Sequence, residues 1–317
     1  MASLDVLCVG IAVADVMAKA IDQVPDWDRL GTFEHIEYHA GGCAVNTGVD
    51  LVRLGARAAV SACVGRDGSG SFVRQRLLDC GLDISGLAET DDAATAYTFV
   101  MIGSDGRRRY LHHVGANALF TAAHVPPELL ARARILHLGG SLLMPAMDGE
   151  PTARLLAQAK DLGVTTSMDT AFNPQVDSRA LIEPCLPWLD IFIPSVEEAQ
   201  AITGETDVAA MLDWFAPWPV RTLGVKLGDG GCVIHEQGHT THYPAYRAKV
   251  ADGSGAGDAF MAGFLYGCLH GWETPRSARF ANATAAHCIQ AIGCSAGVPP
   301  AAEITRFLDD DPPLRTV

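Results

Sequence analysis

Hydrophobic positions along the chain recur with two spacings, which predict strands and helices in alternation. The runs typical of buried strands are short and apolar, and lie at 6–10, 58–64, 135–138, 164–168, 191–193 and 222–226. Apolar residues at helical spacing predict amphipathic helices over 74–80, 151–162, 197–202 and 276–292. This alternation favours an α/β fold with a doubly wound, mainly parallel sheet flanked by helices. Ligands of such sheets bind beyond the carboxyl ends of the strands, where the sequence places Gly10, Asp169, Ser195 and Gly228.

One region departs from this alternation and predicts a separate small sheet. The extended runs 96–103 and 107–115 flank Ser104-Asp105-Gly106, and Asp-Gly between β-rich runs is typical of a hairpin. The run at 32–38 is also extended and has no neighbouring helix. We therefore predict a single domain over 1–317 with a β-sheet lid formed by inserted segments at about 12–39 and 94–120. A lid with one bare sheet face needs a cover, so we expect a homodimer that pairs through the lid.

Composition narrows the class of protein. With 317 residues, 49% of them hydrophobic and 19% charged, the chain can bury a large core. A net charge of −14 disfavours nucleic acid and anionic membranes as partners. The apolar helical pattern near 260–269 is too short to span a bilayer. Nine cysteines without a Cys-x-x-Cys pair are typical of a reducing compartment, so we expect a cytoplasmic protein.

The segment DGSGAGDAF at 252–260 carries the strongest chemical signal, because Gly255, Ala256 and Gly257 directly precede Asp258. A glycine-rich turn that opens a helix directs several backbone N–H groups at one point, with the helix dipole behind them. Such a turn binds phosphate. A carboxylate at its mouth is suited to accept a proton from an alcohol that attacks a phosphoryl group. The structural alternative is a turn whose aspartate only caps the helix.

A second segment, GGCAVNTG at 41–48, is another glycine pair that enters a helix. Gly41 and Gly42 allow a ligand to lie against bare backbone, and Asn46 can both donate and accept hydrogen bonds. Asp15 follows the first buried strand. Together these groups suit a ligand rich in hydroxyl groups, although each alone is also typical of an ordinary turn or cap.

Taken together, these segments resemble the PfkB, or ribokinase-like, family of carbohydrate kinases. The early strand with Gly10 and Asp15, the GGCAVN segment and the DGSGAGDAF segment occur in the family's order. Four more segments resemble it: VGRDGSG at 64–70, PSVEEA at 194–199, VKLG at 225–228 with Gly231, and ANATAA at 281–286. The resemblance implies a ribokinase-like fold with a lid, ATP and Mg²⁺ at the active site, and leaves a requirement for K⁺ open.

Roles follow for the matching residues. Asp258 is the expected base, and the amides of Gly255, Ala256 and Gly257 stabilise the transferred phosphoryl group. The groups expected to orient the sugar are Asp15, Gly41, Gly42 and Asn46. The expected nucleotide-binding residues are Ser195, Glu198, Lys226, Gly228, Gly231 and Asn282, with Glu198 acting on Mg²⁺ through water. Asp252 matches the family's position for a monovalent cation.

Three departures from the family pattern bear on these roles. Ser195 stands where asparagine is common, and Lys226 where threonine is common. Lys226 either supplies positive charge to the phosphates or packs its stem along the strand with its ammonium in water. Gly253-Ser254 replaces a pair that usually contains threonine, a departure that bears on the K⁺ position and not on the catalytic residue.

The sequence indicates the class of substrate less clearly than it indicates the family. Arg107, Arg108 and Arg109 lie beside the hairpin turn and either capture an anionic sugar phosphate or sugar acid or form a solvated turn. Arg107 and Arg109 are the expected substrate ligands. Alternation in the following strand sends His112 and His113 to opposite faces, so at most one faces the ligand. On the preceding strand, Tyr97 and Phe99 share a face that either stacks on a ligand or forms an apolar dimer contact.

The sequence thus favours an ATP-dependent kinase that phosphorylates a hydroxyl group of a sugar or sugar acid. Two alternatives stay open: a nucleoside kinase of the same fold, and a catalytically silent ligand-binding protein. The sequence does not define the sugar or the hydroxyl that receives the phosphoryl group.

Overall fold

The computed structural model describes residues 3–104 and 107–315. The Asp105-Gly106 turn predicted to close the hairpin lies outside the described residues. The described residues form one large sheet with helices on both faces, together with a smaller sheet beside it. The α/β fold class predicted from the alternating pattern is confirmed.

In the described ranges, nine strands build the large sheet in the order β13-β12-β11-β10-β9-β8-β1-β4-β5. Their bounds are β1 Leu4–Gly10, β4 Ala58–Gly65, β5 Asp83–Thr90, β8 Ala133–Ser141, β9 Thr165–Thr170, β10 Ile191–Phe192, β11 Thr222–Lys226, β12 Cys232–Glu236 and β13 His239–Tyr243. All neighbours pair in parallel except β12 and β13, which extend the edge as antiparallel strands. Strands β1 and β4 are apolar and buried almost throughout, as parallel strands covered on both faces should be.

Helices cover both faces of this sheet. Their bounds are α1 Cys43–Leu54, α2 Gly68–Asp79, α3 Pro127–Arg132, α4 Glu150–Asp161, α5 Ser178–Ile182, α6 Val196–Thr203, α7 Val208–Phe215, α8 Ala256–Leu269, α9 Thr274–Cys288 and α10 Ala301–Asp309. One core lies between the sheet and α1, α2, α8, α9 and α10, and the other lies beneath α3, α4, α6 and α7. Over the described residues, no helix is long and apolar enough to cross a bilayer.

Helix α8 is buried nearly all round because α9 packs closely against it. The close approach depends on glycine: a Cβ on Gly263 would lie 2.6 Å from Oγ1 of Thr284 and 2.9 Å from Cα of Ala281. A Cβ on Gly267 would lie 2.4 Å from Oγ of Ser277. Contacts this close fix α8, and with it the glycine turn at its N-terminus.

The smaller sheet consists of β2 Val13–Lys19, β3 His35–Gly41, β6 Tyr97–Ile102 and β7 Arg108–His113. Its strand order is β3-β2-β6-β7, in which β2 and β6 are parallel and the other pairs are antiparallel. The two predicted inserted segments contain these strands, except that β3 ends at Gly41. We refer to this sheet as the lid.

The two faces of the lid differ in what they contact. Paired residues share a face, so Asp15, Thr98, His112 and Arg108 lie on one face, which we call the inner face. The outer face carries the other side chains, including Tyr97, Phe99, Leu111, Arg109 and His113. The inner face contacts the main domain, since Arg108 reaches Asp252. The outer face is mainly apolar and partly open: Val16 is buried, whereas Tyr38 is 57% and Leu111 64% exposed. The ring of Tyr38 contacts Phe72 of α2 at its edge.

Helix α9 ends earlier than its apolar pattern predicts. The pattern extends to 292, whereas the helix ends at Cys288. The carbonyl of Ile289 accepts hydrogen bonds from the N–H groups of Ala251 (2.8 Å) and Asp252 (3.2 Å). The end of α9 therefore supports the segment that leads into the glycine turn, and the chain after it forms an irregular loop.

Candidate active site

The glycine turn at the start of α8 has the geometry of an anion site. Gly255 is the N-cap and has φ 75°, a left-handed conformation that glycine adopts at little cost. A Cβ on Gly255 would lie 2.2 Å from the carbonyl oxygen of Cys294, so the position also lacks room for a side chain. Ala256 and Gly257 begin the helix, where N–H groups have no partner within the helix. The turn therefore presents free donors and the positive end of the helix dipole.

Asp258 lies in the first turn of α8 and is only 8% exposed. Its Oδ2 accepts a hydrogen bond from Nδ2 of Asn46 at 2.8 Å. Burial, reinforced by the nearby Asp169 carboxylate, raises the pKa of Asp258 to about 7, although Asn46 and Lys226 oppose the shift. A carboxyl group with a pKa near 7 can exchange a proton at neutral pH, as a general base must.

Asp15 and the two glycines that precede α1 are brought together, as the sequence predicts. The side chain of Asp15 fills the space beside Gly41, where a Cβ would lie 1.9 Å from Oδ2. Gly42 has φ 97°, and a Cβ there would lie 2.4 Å from the carbonyl oxygen of Ile11. Burial raises the pKa of Asp15 to about 6. Both positions therefore require glycine, and both leave bare backbone beside a carboxylate.

Asn46 lies one turn into α1 and links this group to the base. It donates to Asp258, while its Oδ1 is buried without a partner among the described residues. The Asp15 carboxylate and the glycine pair lie together, and Asn46 joins α1 to Asp258.

Lys226, at the end of β11, provides positive charge beside the glycine turn. Its Nζ lies 2.6 and 2.7 Å from the two carboxylate oxygens of Asp169, at the end of β9. It also lies 3.4 Å from where a Cβ on Gly257 would be. Burial lowers the pKa of Lys226, but the Asp169 and Glu198 carboxylates outweigh it and raise that pKa, which keeps the ammonium charged. The side chain is therefore not a solvated surface lysine.

Ser195 and Glu198 form a capping box at the start of α6. The N–H of Ser195 donates to Oε2 of Glu198 (2.7 Å), and the N–H of Glu198 donates to Oγ of Ser195 (3.3 Å). Burial, reinforced by Asp169, raises the pKa of Glu198. In the ranges that the structure describes, no three histidine, cysteine or acidic side chains cluster as metal ligands. The side chains present fit Mg²⁺ only as an ion that keeps most of its water and binds phosphate.

The three remaining candidates for nucleotide binding shape or hold backbone segments in the structure. Gly228 (φ 59°) and Gly231 (φ 88°) shape the tight turn between β11 and β12. A Cβ on Gly231 would lie 2.1 Å from the carbonyl oxygen of Tyr243. Asn282, in α9, donates through Nδ2 to the carbonyl oxygens of Tyr243 (2.9 Å) and Pro244 (3.2 Å). Its amide N–H₂ group thus holds the end of β13.

The arginine run of the lid is arranged differently from the prediction. Arg108 forms an ion pair with Asp252 across 2.7 Å, a contact that the sequence did not predict. Arg109 lies on the outer face, opposite to Asp15, and its role as a substrate ligand stays a prediction. Arg107 precedes β7, and its N-terminal neighbours lie outside the described residues. Asp252, expected at a K⁺ position, binds a guanidinium group instead.

Comparisons with known proteins identify the family of the chain. A family model described as pfkB family carbohydrate kinase matches residues 3–301. A nucleoside kinase of Methanothermobacter thermautotrophicus is 27% identical over 308 residues, which cover 96% of this chain and 95% of that protein. Fructokinase-1 of Oryza sativa is 28% identical over 287 residues, or 85% of this chain and 88% of that protein.

Solved structures share the fold. That of Arabidopsis thaliana ribokinase complexed with ribose and ATP has a TM-score of 0.85 at 24% identity and covers 97% of this chain and 99% of its own. That of a ribokinase from Thermotoga maritima has a TM-score of 0.83 at 22% identity, with 96% and 99% covered. The match over nearly the whole chain shows that this protein belongs to the pfkB family of carbohydrate kinases, phosphotransferases that act on a hydroxyl group.

Proposed function

We propose that this protein transfers the γ-phosphoryl group of ATP to a hydroxyl group of a sugar or sugar acid. The observation that carries the proposal is the position of Asp258, a buried carboxyl group with a pKa of about 7 at the mouth of an anion-binding turn. Chemistry at an alcohol requires a proton acceptor there, whereas simple anion binding would not tolerate a carboxylate.

Each group then has a physical task. Asp258 takes the proton of the attacking hydroxyl group, and Asn46 holds its carboxylate through the 2.8 Å hydrogen bond. The free N–H groups of the glycine turn stabilise negative charge on the transferring group, each worth about 3 kcal/mol in such sites. Asp15 and the bare backbone of Gly41 and Gly42 orient the sugar so that one hydroxyl group is in line.

Charge at the nucleotide end is supplied by the Lys226 ammonium. It is held by Asp169 and lies beside Gly257, so a phosphate group on the turn would compete with Asp169 for it. Mg²⁺, when bound with ATP, would neutralise phosphate charge, and Glu198 is the side chain we assign to its water shell. Ser195 and the Gly228 turn remain our assignment for the edge of the nucleotide site.

A nucleoside kinase is the second candidate, and the nucleoside kinase among the relatives supports it. The lid aromatics give it less support than the sequence suggested, since Tyr97 and Phe99 lie on the outer face. Base stacking would therefore need a different side chain. The panel described next separates the two candidates.

Replacement of Asp258 by asparagine tests the proposal. Purified protein is assayed for ADP release with Mg-ATP and a panel of pentoses, hexoses, sugar acids, sugar phosphates and nucleosides. The Asp258→Asn variant should lose about 10²- to 10⁴-fold in kcat on any active compound while ATP binding by calorimetry stays similar. Asp161→Asn, on the exposed end of α4, is the matched control and should behave like the native protein. Full turnover by Asp258→Asn would show that Asp258 is not the base.

We also propose that two copies pair through the outer face of the lid. This face bears exposed apolar side chains, among them Ile36, Tyr38 and Leu111. It borders a cavity of about 590 Å³ lined by Val24, Pro25, Phe33, Phe99, Met101 and Leu111. An apolar surface of this kind is typical of a protein contact, and a second lid offers the matching chemistry.

A further inference from the structure

Asp252 lies where the lid, the glycine turn and a neighbouring loop meet, and it is 4% exposed. Its Oδ1 accepts hydrogen bonds from Nη1 of Arg108 (2.7 Å) and from the N–H of Ser254 (2.9 Å). Its Oδ2 accepts from the N–H of Gly293 (3.0 Å). One carboxylate therefore joins three segments that are far apart in the chain.

Arg108 is also bound to the entrance of the glycine turn. Its Nη1 donates to Oγ of Ser254 at 2.8 Å, one residue before Gly255. Gly253 leaves the room for this contact, because a Cβ there would lie 2.8 Å from Nη2 of Arg108. The hydroxyl group of Ser254 and the bare backbone of Gly253 thus accommodate the guanidinium group of Arg108.

The loop that receives the other oxygen of Asp252 supports the turn directly. Gly293 donates to Asp252, and the carbonyl oxygen of the next residue, Cys294, packs against Gly255. His39, on the lid strand β3, packs against Gly293 from the other side, 2.6 Å from where its Cβ would be. A movement of Asp252 would therefore displace Gly255, where the anion site begins.

We propose that Arg108 is a built-in cation of the phosphate-binding turn, delivered to Asp252 by the lid. In this role the guanidinium group orders the turn, so phosphate binding is coupled to the position of the lid and needs no K⁺. The proposal rests on the proposed kinase function and makes Arg108 a positioning residue that acts through Asp252 and Ser254.

The guanidinium group of Arg108 and a K⁺ ion cannot occupy the site at Asp252 together. A guanidinium group has five N–H donors and no acceptor, so it supplies no ligand to a metal cation. It neutralises the carboxylate that a K⁺ ion would need, and its own charge repels such an ion. The residues around Asp252 therefore do not fit K⁺ while Arg108 is in place.

Kinase assays at constant ionic strength in KCl, NaCl or tetramethylammonium chloride test this. The native protein should be equally active in the three salts. Arg108→Ala should lose about 10- to 100-fold in kcat/KM, the effect of losing charge-assisted hydrogen bonds to a buried carboxylate. Guanidinium chloride or KCl should restore part of that loss, and Arg108→Lys should keep most of the activity. Arg76→Ala, an exposed arginine on α2, controls for net charge.

A second measurement does not depend on turnover. The midpoint of thermal unfolding and the Kd for ATP are compared between KCl and tetramethylammonium chloride. Arg108→Ala should become more stable and bind ATP more tightly in KCl, while the native protein should respond equally to both salts. If no compound on the panel is phosphorylated, these binding readouts still report on Arg108, so the two proposals fail separately.

Gly253→Thr tests the same contact with Arg108 retained. The threonine side chain should displace the guanidinium group and make activity depend on the salt, as predicted for Arg108→Ala. Gly253→Thr therefore tests the proposal even if Arg108→Ala does not fold. A native protein that requires K⁺, or an Arg108→Ala variant that shows the native salt response, would overturn the proposal.

Discussion

Asp258 combines two properties that conflict in a folded protein, since it must ionise to act as a base and is buried where charge is costly. Its pKa of about 7 means that the carboxylate forms only as the pH rises through neutrality. With saturating substrate, kcat should therefore rise about tenfold per pH unit below pH 7 and level off above it. A profile of kcat between pH 5 and 9 measures this. A flat profile over that range would exclude Asp258 as the titrating group.

The same shift predicts a pH dependence of stability. The folded-state pKa of Asp258 is raised above the unfolded value, so the folded protein holds a proton that the unfolded chain releases. The stabilisation is fully present below about pH 4 and is lost as the pH rises through about 7. Asp258→Asn should therefore lose less stability than the native protein between pH 4 and 8, which thermal unfolding across this range would show. Asp161→Asn should follow the native curve.

At the residue scale, local motifs predicted the site better than long-range pairs. Asp15, Gly41, Gly42, Asn46 and Asp258 come together as their motifs indicate, because each motif shapes its own backbone. Two pairings between distant residues were not predicted. Asp169 binds Lys226 across 57 positions, and Arg108 binds Asp252 across 144. The spacing of residues along the chain does not reveal such pairs. An acidic residue at the end of a buried strand, such as Asp169, does indicate that a partner is needed.

At the element scale, apolar patterns located the strands well and the helix ends less well. The strand predicted at 222–226 is Thr222–Lys226 in the structure. Helix α2 begins at Gly68, six positions before the predicted start. Its first turn is rich in glycine and serine, which are poor helix formers. Asp67 makes the start possible by accepting a hydrogen bond from the N–H of Gly70 at 2.7 Å.

The contact between α8 and α9 predicts a second effect, because α8 carries the turn and the base. Gly263→Ala would place a Cβ 2.9 Å from Cα of Ala281, a backbone atom that cannot rotate away. The free energy of unfolding should fall by about 1–3 kcal/mol, the usual cost of overpacking, and kcat should fall with it. Thermal unfolding and the kinase assay measure the two effects.

Gly68→Ala is the matched control for this glycine substitution. Position 68 is helical, and a Cβ there would meet nothing within 4 Å. This variant should be unchanged or more stable by up to about 1 kcal/mol, since alanine restricts the unfolded chain. Equal effects at positions 68 and 263 would show that helix propensity, and not the α8–α9 contact, sets the outcome.

At the scale of the whole molecule, the lid has two faces, one beside the candidate active site and the other proposed to pair with a second copy. Its inner face holds Asp15 and Arg108, whereas its outer face exposes Leu111 at 64%. Alternation in the sequence predicted that Tyr97 and Phe99 share a face, but it could not say which face meets the main domain. That choice depends on how the lid docks, which is a property of the tertiary fold.

The dimer prediction follows from this division of faces. A carboxylate at position 111 would lose its water in an apolar contact, so Leu111→Glu should convert a dimer into a monomer. Sedimentation equilibrium at micromolar protein gives the mass of each form. Leu162→Glu places the same charge on an equally open leucine of the main domain (50% exposed) and should leave the mass unchanged. A native protein that sediments as a monomer would refute pairing through the lid. A dimer that persists in Leu111→Glu would place the contact elsewhere on the molecule.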